Sequence, residues 1–295
     1  MSNPLDAQHY ADRAVHQTVE IIENIPIARD TWRLRFACPE MAARILPGQF
    51  LMVRVSDCDD PLIGRPLAMY DVQRDGTGQP HAIDVVYVVK GKFTTRAQTL
   101  LTGQRVDVWG PLGNGFPPSP APTDSRSHLI MVAGGIGYTP FLAVAKEVLG
   151  REQFGDPPRE VSSADKVTFC YGARTSEYLA GVEDFEAAGV DLRISTDDGS
   201  RGHHGLVTDL LSEVLDEDSS HCRIVCCGPE PMMEATAHIA GQRNVPCQVS
   251  LETPMACGIG ICFSCVAKVT DDDGEWDYKR TCVEGPVFDA AKIVW

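Results

Sequence analysis

The sequence predicts a multidomain chain: an antiparallel β-barrel or sandwich, then a parallel α/β unit, then a small cysteine-bearing unit. Three observations predict it. Short β-like runs broken by Gly and Pro fill residues 18 to about 116. Strand-length and helix-length segments alternate from residue 128 to about 249. Four cysteines with the spacing C-x4-C-x2-C-x16-C occupy the last segment. At 295 residues the chain is long enough for two or three separate cores.

The first unit rests on "TVEIIENI", "TWRLRFAC", "QFLMVRV", "IDVVYVV" and "QRVDVWG". Several short strands at close spacing with turn residues between them suggest a barrel or sandwich. "PPSPAPTDSRS", at residues 117–127, has four prolines and no apolar periodicity, which is linker composition. "HLIMVAGG" then reads as a buried strand and "TPFLAVAKEVLG" as a helix, with Pro140 in its first turn and Gly150 at its end. "KVTFCYG", "VDLRIST" and "CRIVCCG" are further strands, with helices over "EYLAGVEDFEAAG", "LVTDLLSEVL" and "EPMMEATAHIAGQR". That alternation implies a parallel sheet with crossovers. The division is residues 1–17 as an extension, 18–117 as the barrel, 118–127 as a linker, 128–249 as the α/β unit and 250–295 as the cysteine unit.

Composition narrows the function classes. A formal charge of −15 argues against nucleic acid, whose binding needs a basic footprint, and weakly against an anionic membrane surface. No run approaches the roughly 20 apolar residues that cross a bilayer. The polar, acidic start fits neither a secretory signal nor an Arg-rich transit peptide, so a cytoplasmic location is expected. Eleven cysteines without such a signal speak against a disulfide framework. Cys38, Cys58, Cys170, Cys222, Cys226, Cys227 and Cys247 read as small buried hydrophobes.

Several short stretches carry chemistry. "GGIGYTP", at residues 134–140, lies between strand and helix, where a glycine turn lets a phosphate approach the backbone. Proline replaces the last glycine of the full fingerprint, and a tight turn without a ligand is the plain alternative. "CCGPEPMM" adds a second Gly-Pro turn at the same sheet edge, where ligands of open α/β sheets bind. In "GRPLAMYDV", Arg65 stands in an apolar run, placed either to clamp an anion or to form a surface salt bridge. Gly91, Thr94 and Thr95 in "VVKGKFTTRAQTL" offer amide and hydroxyl donors. The four cysteines Cys257, Cys262, Cys265 and Cys282 admit a disulfide, zinc or an iron–sulfur cluster. Their first three intervals match plant-type [2Fe–2S] spacing, and Ala256, Gly258, Gly260 and Ser264 are small enough to wrap a cluster closely. Zinc usually takes two short knuckles, and Cys257 and Cys282 form no second one.

From about residue 18 to the end, the chain resembles the iron–sulfur electron-transfer subunits of NAD-dependent dihydroorotate dehydrogenases, within the ferredoxin-reductase superfamily. "GRPLAMYD", "KGKFTT", "GPLGNGF", "GGIGYTPF", "STDDGS", "CGPEPMM", "LETPMACGIGIC" and "YKRTCVEGPVFDA" carry the resemblance, in the family's order. It implies a FAD-binding barrel, a Rossmann-like NAD domain and a [2Fe–2S] domain. Arg65, Pro66, Leu67 and Ala68 match the flavin motif, with Arg65 on the pyrophosphate. Ala68 stands where many superfamily members have Ser or Thr, leaving a backbone amide as the flavin contact. Gly91, Thr94 and Thr95 match the second flavin motif, with Phe93 in place of a common glycine. Gly134, Gly135, Gly137 and Pro140 match the dinucleotide turn. Cys227 and Gly228 match the segment beside the nicotinamide, and Cys257, Cys262, Cys265 and Cys282 match the cluster ligands.

Asp197 and Asp198 follow a strand, where carboxylates repel a 2′-phosphate and favour NAD; Arg174 nearby acts oppositely. The family also implies a separate FMN-containing catalytic subunit, joined in a heterotetramer, because no base for dihydroorotate oxidation is evident here. The cysteine block, with Phe263, is then expected to face that partner. Two other readings stand beside this one: a reductase subunit serving ferredoxin, a hydrogenase or a sulfur-reducing partner, and a zinc-stabilised binding module that is not an enzyme.

Overall fold

The computed structural model describes residues 10–57, 59–118, 127–217 and 221–295. Cys58, residues 1–9 of the expected extension and residues 119–126 of the expected linker lie outside the described residues.

Among the described residues, six antiparallel strands close a barrel: β1 (Val15–Ala28), β2 (Thr31–Ala37), β3 (Phe50–Val55), β4 (Arg65–Arg74), β5 (Pro80–Val88) and β6 (Arg105–Leu112), in the order β1-β2-β5-β4-β3-β6. β1 closes it alone. Its first half pairs with β6 and its second half with β2, which only a strand of this length can do. Strand alternation sorts the side chains. Leu51, Val53, Leu67, Met69, Val106 and Val108 fill the barrel. Phe50, Met52 and Tyr70 face outward and are nonetheless buried, because the other two units pack there. Two short helices, α1 (Pro39–Arg44) and α2 (Lys92–Ala97), flank the barrel.

The second unit contains β7 (His128–Gly134), α3 (Phe141–Val148), β8 (Lys166–Ala173), α4 (Val182–Ala188), β9 (Asp191–Thr196), β10 (His203–His204), α5 (Val207–Glu217), β11 (Cys222–Cys227), α6 (Glu230–Arg243) and β12 (Cys247–Ser250). The sheet order is β10-β9-β8-β7-β11-β12-β15, parallel until β15 (Val287–Asp289) joins antiparallel to β12. The chain winds outward from β7 through β8 and β9, then returns to β11 on the other side. The crevice between β7 and β11 is therefore the topological switch point.

The helix expected over "EYLAGVEDFEAAG" covers only its second half. Gly181 adopts φ +70°, and a Cβ there would strike the Tyr70 hydroxyl. The helix starts after that glycine because the barrel occupies the space a longer helix needs. Cys38, Cys170, Cys222, Cys226 and Cys247 are buried in the cores, and burial pushes the Cys38, Cys170 and Cys226 thiols up to about 12.

The third unit leaves β12, forms the cysteine loop and the hairpin β13 (Val266–Thr270) and β14 (Trp276–Arg280), and returns as β15. "GPLGNGF" is the junction. Asn114 donates its side-chain amide to Val287 O (2.8 Å), accepts from Val287 N (3.1 Å) and bonds Gly285 O through its own amide (2.7 Å).

Candidate functional site

A cavity of about 930 Å³ opens at the switch point. Its floor is the carboxyl edge of the sheet: Gly134 and Gly135 where β7 ends, Ala173 and Arg174 where β8 ends, Asp197 after β9, Gly228 and Pro229 after β11. The barrel supplies the opposite wall through Asp30, Thr31 and residues 88–90. The two glycine turns fit each other closely. A Cβ on Gly137 would fall on the Cys227 carbonyl, so only glycine lets the first turn approach β11. Gly135 adopts φ +54° with open space where a Cβ would be, leaving backbone exposed to the cavity. Pro140 occupies the N-cap position of α3.

Of the two carboxylates after β9, Asp197 lines the cavity. Asp198 turns back to accept from Ser200 N (3.0 Å) and Ser200 Oγ (2.6 Å), which hold its carboxyl below the usual range. Arg174 shares the wall with Asp197. Cys227 does not itself line the cavity. Its thiol is buried in the core below, burial raises its pKa well above the usual value, and Gly228 takes the rim.

The residues expected to hold a flavin lie on the barrel rim beside this cavity. Met69 stands opposite Val85 in an antiparallel pair, so the start of β4 and the end of β5 leave the barrel together. Arg65 is thereby on the same rim as Gly91, Thr94 and Thr95. The exposed Arg65 guanidinium donates to the carbonyls of Ile63 (3.0 Å) and Gly64 (3.1 Å) and forms no salt bridge among the described residues. Pro66 and Ala68 face outward and are half-buried, while Leu67 points into the barrel. The Thr94 hydroxyl is used within its own turn: it accepts from Lys90 N (2.9 Å) and Gly91 N (3.0 Å) and donates to Gly91 O (3.0 Å). Thr95 N donates to Gly91 O at 2.9 Å. Phe93 is accommodated because its ring enters the barrel core.

The four cysteines form two pairs. The Cys262 thiol lies within hydrogen-bonding reach of Cys257, and the Cys265 thiol within reach of Cys282. Among the described residues, no three His, Cys, Asp or Glu side chains gather about one point where a single ion would sit. Two thiol pairs fit two irons, each taking two thiolates. The Ser264 hydroxyl and amide, and then Cys257, draw the Cys262 thiol down to about 6. Cys282 draws Cys265 down to about 6, and its own thiol rises in exchange. The inner pair is buried against Phe50, Met52, Leu112 and Met255, while Cys262 is exposed.

Two residues of the site escaped sequence reasoning. Glu252, exposed at the cavity wall just before the cysteine loop, shares that wall with Lys90. Trp109 Nε1 donates to Cys257 O at 2.8 Å. The signal for Glu252 was present in "LETPMACG", a lone carboxylate on an apolar approach to the cysteines. Trp109 gave none, because its partner is far away in sequence.

The comparisons agree with this layout. Residues 252–294 match the iron–sulfur cluster binding domain of dihydroorotate dehydrogenase B, residues 131–238 an oxidoreductase NAD-binding domain, and residues 18–116 an oxidoreductase FAD-binding domain. The chain therefore has domains for FAD, NAD(H) and a [2Fe–2S] cluster. The dihydroorotate dehydrogenase B (NAD+) electron transfer subunit of Geobacillus kaustophilus (strain HTA426) is 37% identical over 269 residues, 91% of this chain and 94% of that subunit. The same subunit of Desulforamulus reducens (strain ATCC BAA-1160 / DSM 100696 / MI-1) is 33% identical, again over 91% and 94%. The structure of an NADH-dependent reduced ferredoxin-NADP oxidoreductase superposes with TM-score 0.77 at 27% identity, covering 94% of this chain and 90% of that one. Phthalate dioxygenase reductase shares the fold, with TM-score 0.55 at 20% identity over 91% and 94% of the two chains. With its barrel, its switch-point cavity, its paired thiols and these near full-length relatives, the chain belongs to the dihydroorotate dehydrogenase B (NAD+) electron transfer subunits.

Proposed function

We propose that this chain exchanges electrons between NAD(H) in the switch-point cavity and an FMN-containing catalytic subunit docked on the exposed cysteine loop. The complex is a cytoplasmic heterotetramer in which the catalytic subunit oxidises dihydroorotate. The observation that carries the reading is the placement of the thiol pairs: the inner pair lies against the flavin-bearing barrel and the outer pair opens to the surface.

Residues 65–68 with Gly91, Thr94 and Thr95 would hold FAD, which would supply hydride exchange with the nicotinamide and one-electron exchange with the cluster. The chain's own residues orient and shield. Gly134, Gly135, Gly137, Pro140 and Gly228 shape the dinucleotide cradle, and Asp197 selects the ribose. Arg65 neutralises the flavin pyrophosphate, with Gly91, Thr94 and Thr95 fixing the adjoining turn. Pro66 and Ala68 hold the flavin edge against the cavity, Leu67 anchors their strand in the barrel core, and a backbone amide at Ala68 replaces the missing hydroxyl. Cys227 supports the nicotinamide floor from below through Gly228 rather than by direct contact. Cys257, Cys262, Cys265 and Cys282 are the thiolate ligands.

The docking face is apolar. Ile261 and Phe263 are 74% and 61% exposed, a large apolar display for a loop flanking cysteines. Phe263 has φ +55°, and the Arg280 guanidinium lies 5.0 Å from its ring centroid, so the ring is held outward rather than collapsed.

The test is anaerobic purification of the tagged chain from its native host, counting FAD, FMN and iron and assaying dihydroorotate-dependent NAD+ reduction. FMN with that activity supports the reading; FAD and iron without FMN moves the acceptor to a ferredoxin-type partner. Phe263→Asp is expected to weaken assembly with the catalytic subunit at least about tenfold while NADH oxidation by an artificial dye continues. Unchanged assembly would remove this loop from the interface.

A further inference from the structure

One row of side chains on the outer barrel face joins the flavin motif to the cysteine unit. Across three strands, Pro66 stands opposite Met52, and Met52 opposite Trp109. Residues directly opposite share a face. Met52 packs outside the barrel with Phe50, Cys265 and Cys282, so the whole row runs along the exterior. The cysteine loop lies on this row, since a Cβ on Gly258 would meet Met52 Cγ at 2.5 Å. The indole touches both ends. Trp109 Nε1 donates to Cys257 O at 2.8 Å, and its far edge would be 2.7 Å from a Cβ on Gly64, the residue before Arg65.

We propose that Trp109 is a positioning residue for electron exchange between flavin and cluster. One rigid ring fixes the peptide of Cys257 at a set distance from the strand that carries residues 65–68. The outer thiol pair needs such a fixture. Cys265 and Cys282 are each 1% exposed and held by packing, whereas Cys257 is only half-buried and Cys262 is exposed. A hydrogen bond to a ligand's own peptide orients its thiolate, and such outer partners commonly tune a metal centre. The aromatic ring adds stiffness that a flexible donor of equal reach lacks. The inference rests on the reading that FAD lies on residues 65–68 and the cluster on the four cysteines.

Trp109→Phe keeps an aromatic ring, removes the donor and shortens the reach toward Gly64. In the holo-subunit, with FAD and iron counted first, NADH is mixed in a stopped-flow instrument and flavin and cluster bleaching are followed separately. The cluster phase is expected to slow by roughly three- to tenfold relative to the flavin phase, as loss of one positioning hydrogen bond allows. The electron paramagnetic resonance spectrum of the reduced cluster is expected to shift and broaden, which a purely supportive role in barrel stability does not produce. An unchanged spectrum and an unchanged ratio of phases would overturn the proposal. Should the variant fail to load iron, the wild-type protein still decides. Its Trp109 indole N–H resonance should exchange slowly and relax strongly beside the loaded cluster, and a sharp resonance exchanging as fast as that of exposed Trp276 would overturn it. A wild-type subunit that binds no FAD or iron sinks the underlying reading instead.

Discussion

Asp197 and Asp198 are adjacent and chemically alike, yet only the first reaches the cavity, because the second is spent on Ser200. A carboxylate in the cavity wall repels a 2′-phosphate and accepts a ribose hydroxyl. Asp197→Ser is therefore expected to raise kcat/KM for NADPH relative to NADH by about tenfold to a hundredfold, with Arg174 on the same wall supplying the attraction. Steady-state assays with a dye acceptor measure that ratio, and an unmoved ratio would mean that Asp197 does not meet the ribose. Much of the site was legible at this scale. Glycine turns and cysteine spacing are local devices, written in consecutive residues. The pairing of Cys262 with Cys257 and of Cys265 with Cys282 was not legible, since it depends on how β14 returns the chain.

At the scale of elements, the barrel and the α/β unit meet through β4 and α3. Lys146 Nζ on α3 lies 2.6 Å from Asp71 Oδ2 on β4, and among the described residues Asp71 Oδ1 has no hydrogen-bond partner. Burial is the larger influence and pushes the Asp71 carboxyl up to about 6, against Lys146; Glu152 and Asp84 add to the rise. The folded state therefore binds a proton that the unfolded chain has released between about pH 4 and 6. This contribution to stability is complete below the unfolded value and is lost as pH rises through about 6. Asp71→Asn is expected to flatten the pH dependence by on the order of 2 kcal/mol across that window. Urea titrations of both proteins at pH 4.5 and 7 provide the check, and parallel curves would show that Asp71 titrates normally. Sequence periodicity could place β4 and α3 but not this contact. It also extended the α4 helix too far, because the obstacle at Gly181 is a tyrosine from another unit.

At the scale of the whole molecule, sequence blocks suggest beads on a string, and the fold is more entangled. The chain leaves the parallel sheet at β12, builds the cysteine loop against the barrel, and returns to the same sheet as β15. No local pattern announces that return, since Val287–Asp289 is three residues long and its partner strand is distant in sequence. Asn114 is what binds the arrangement. It is 5% exposed and satisfies both backbone groups of Val287 from the end of the barrel. Asn114→Ala leaves that buried amide and carbonyl without their partner, at a cost of about 2–4 kcal/mol. The loss should fall on the joint between the barrel and the cysteine unit rather than on either core. We therefore expect hydrogen exchange to accelerate across β15 and the cysteine loop, and iron to be released faster to a chelator. Exchange within β2 and β5, on the far side of the barrel, should stay slow. Uniform acceleration throughout the barrel would instead make Asn114 part of its core stability, and the three units would then unfold as one.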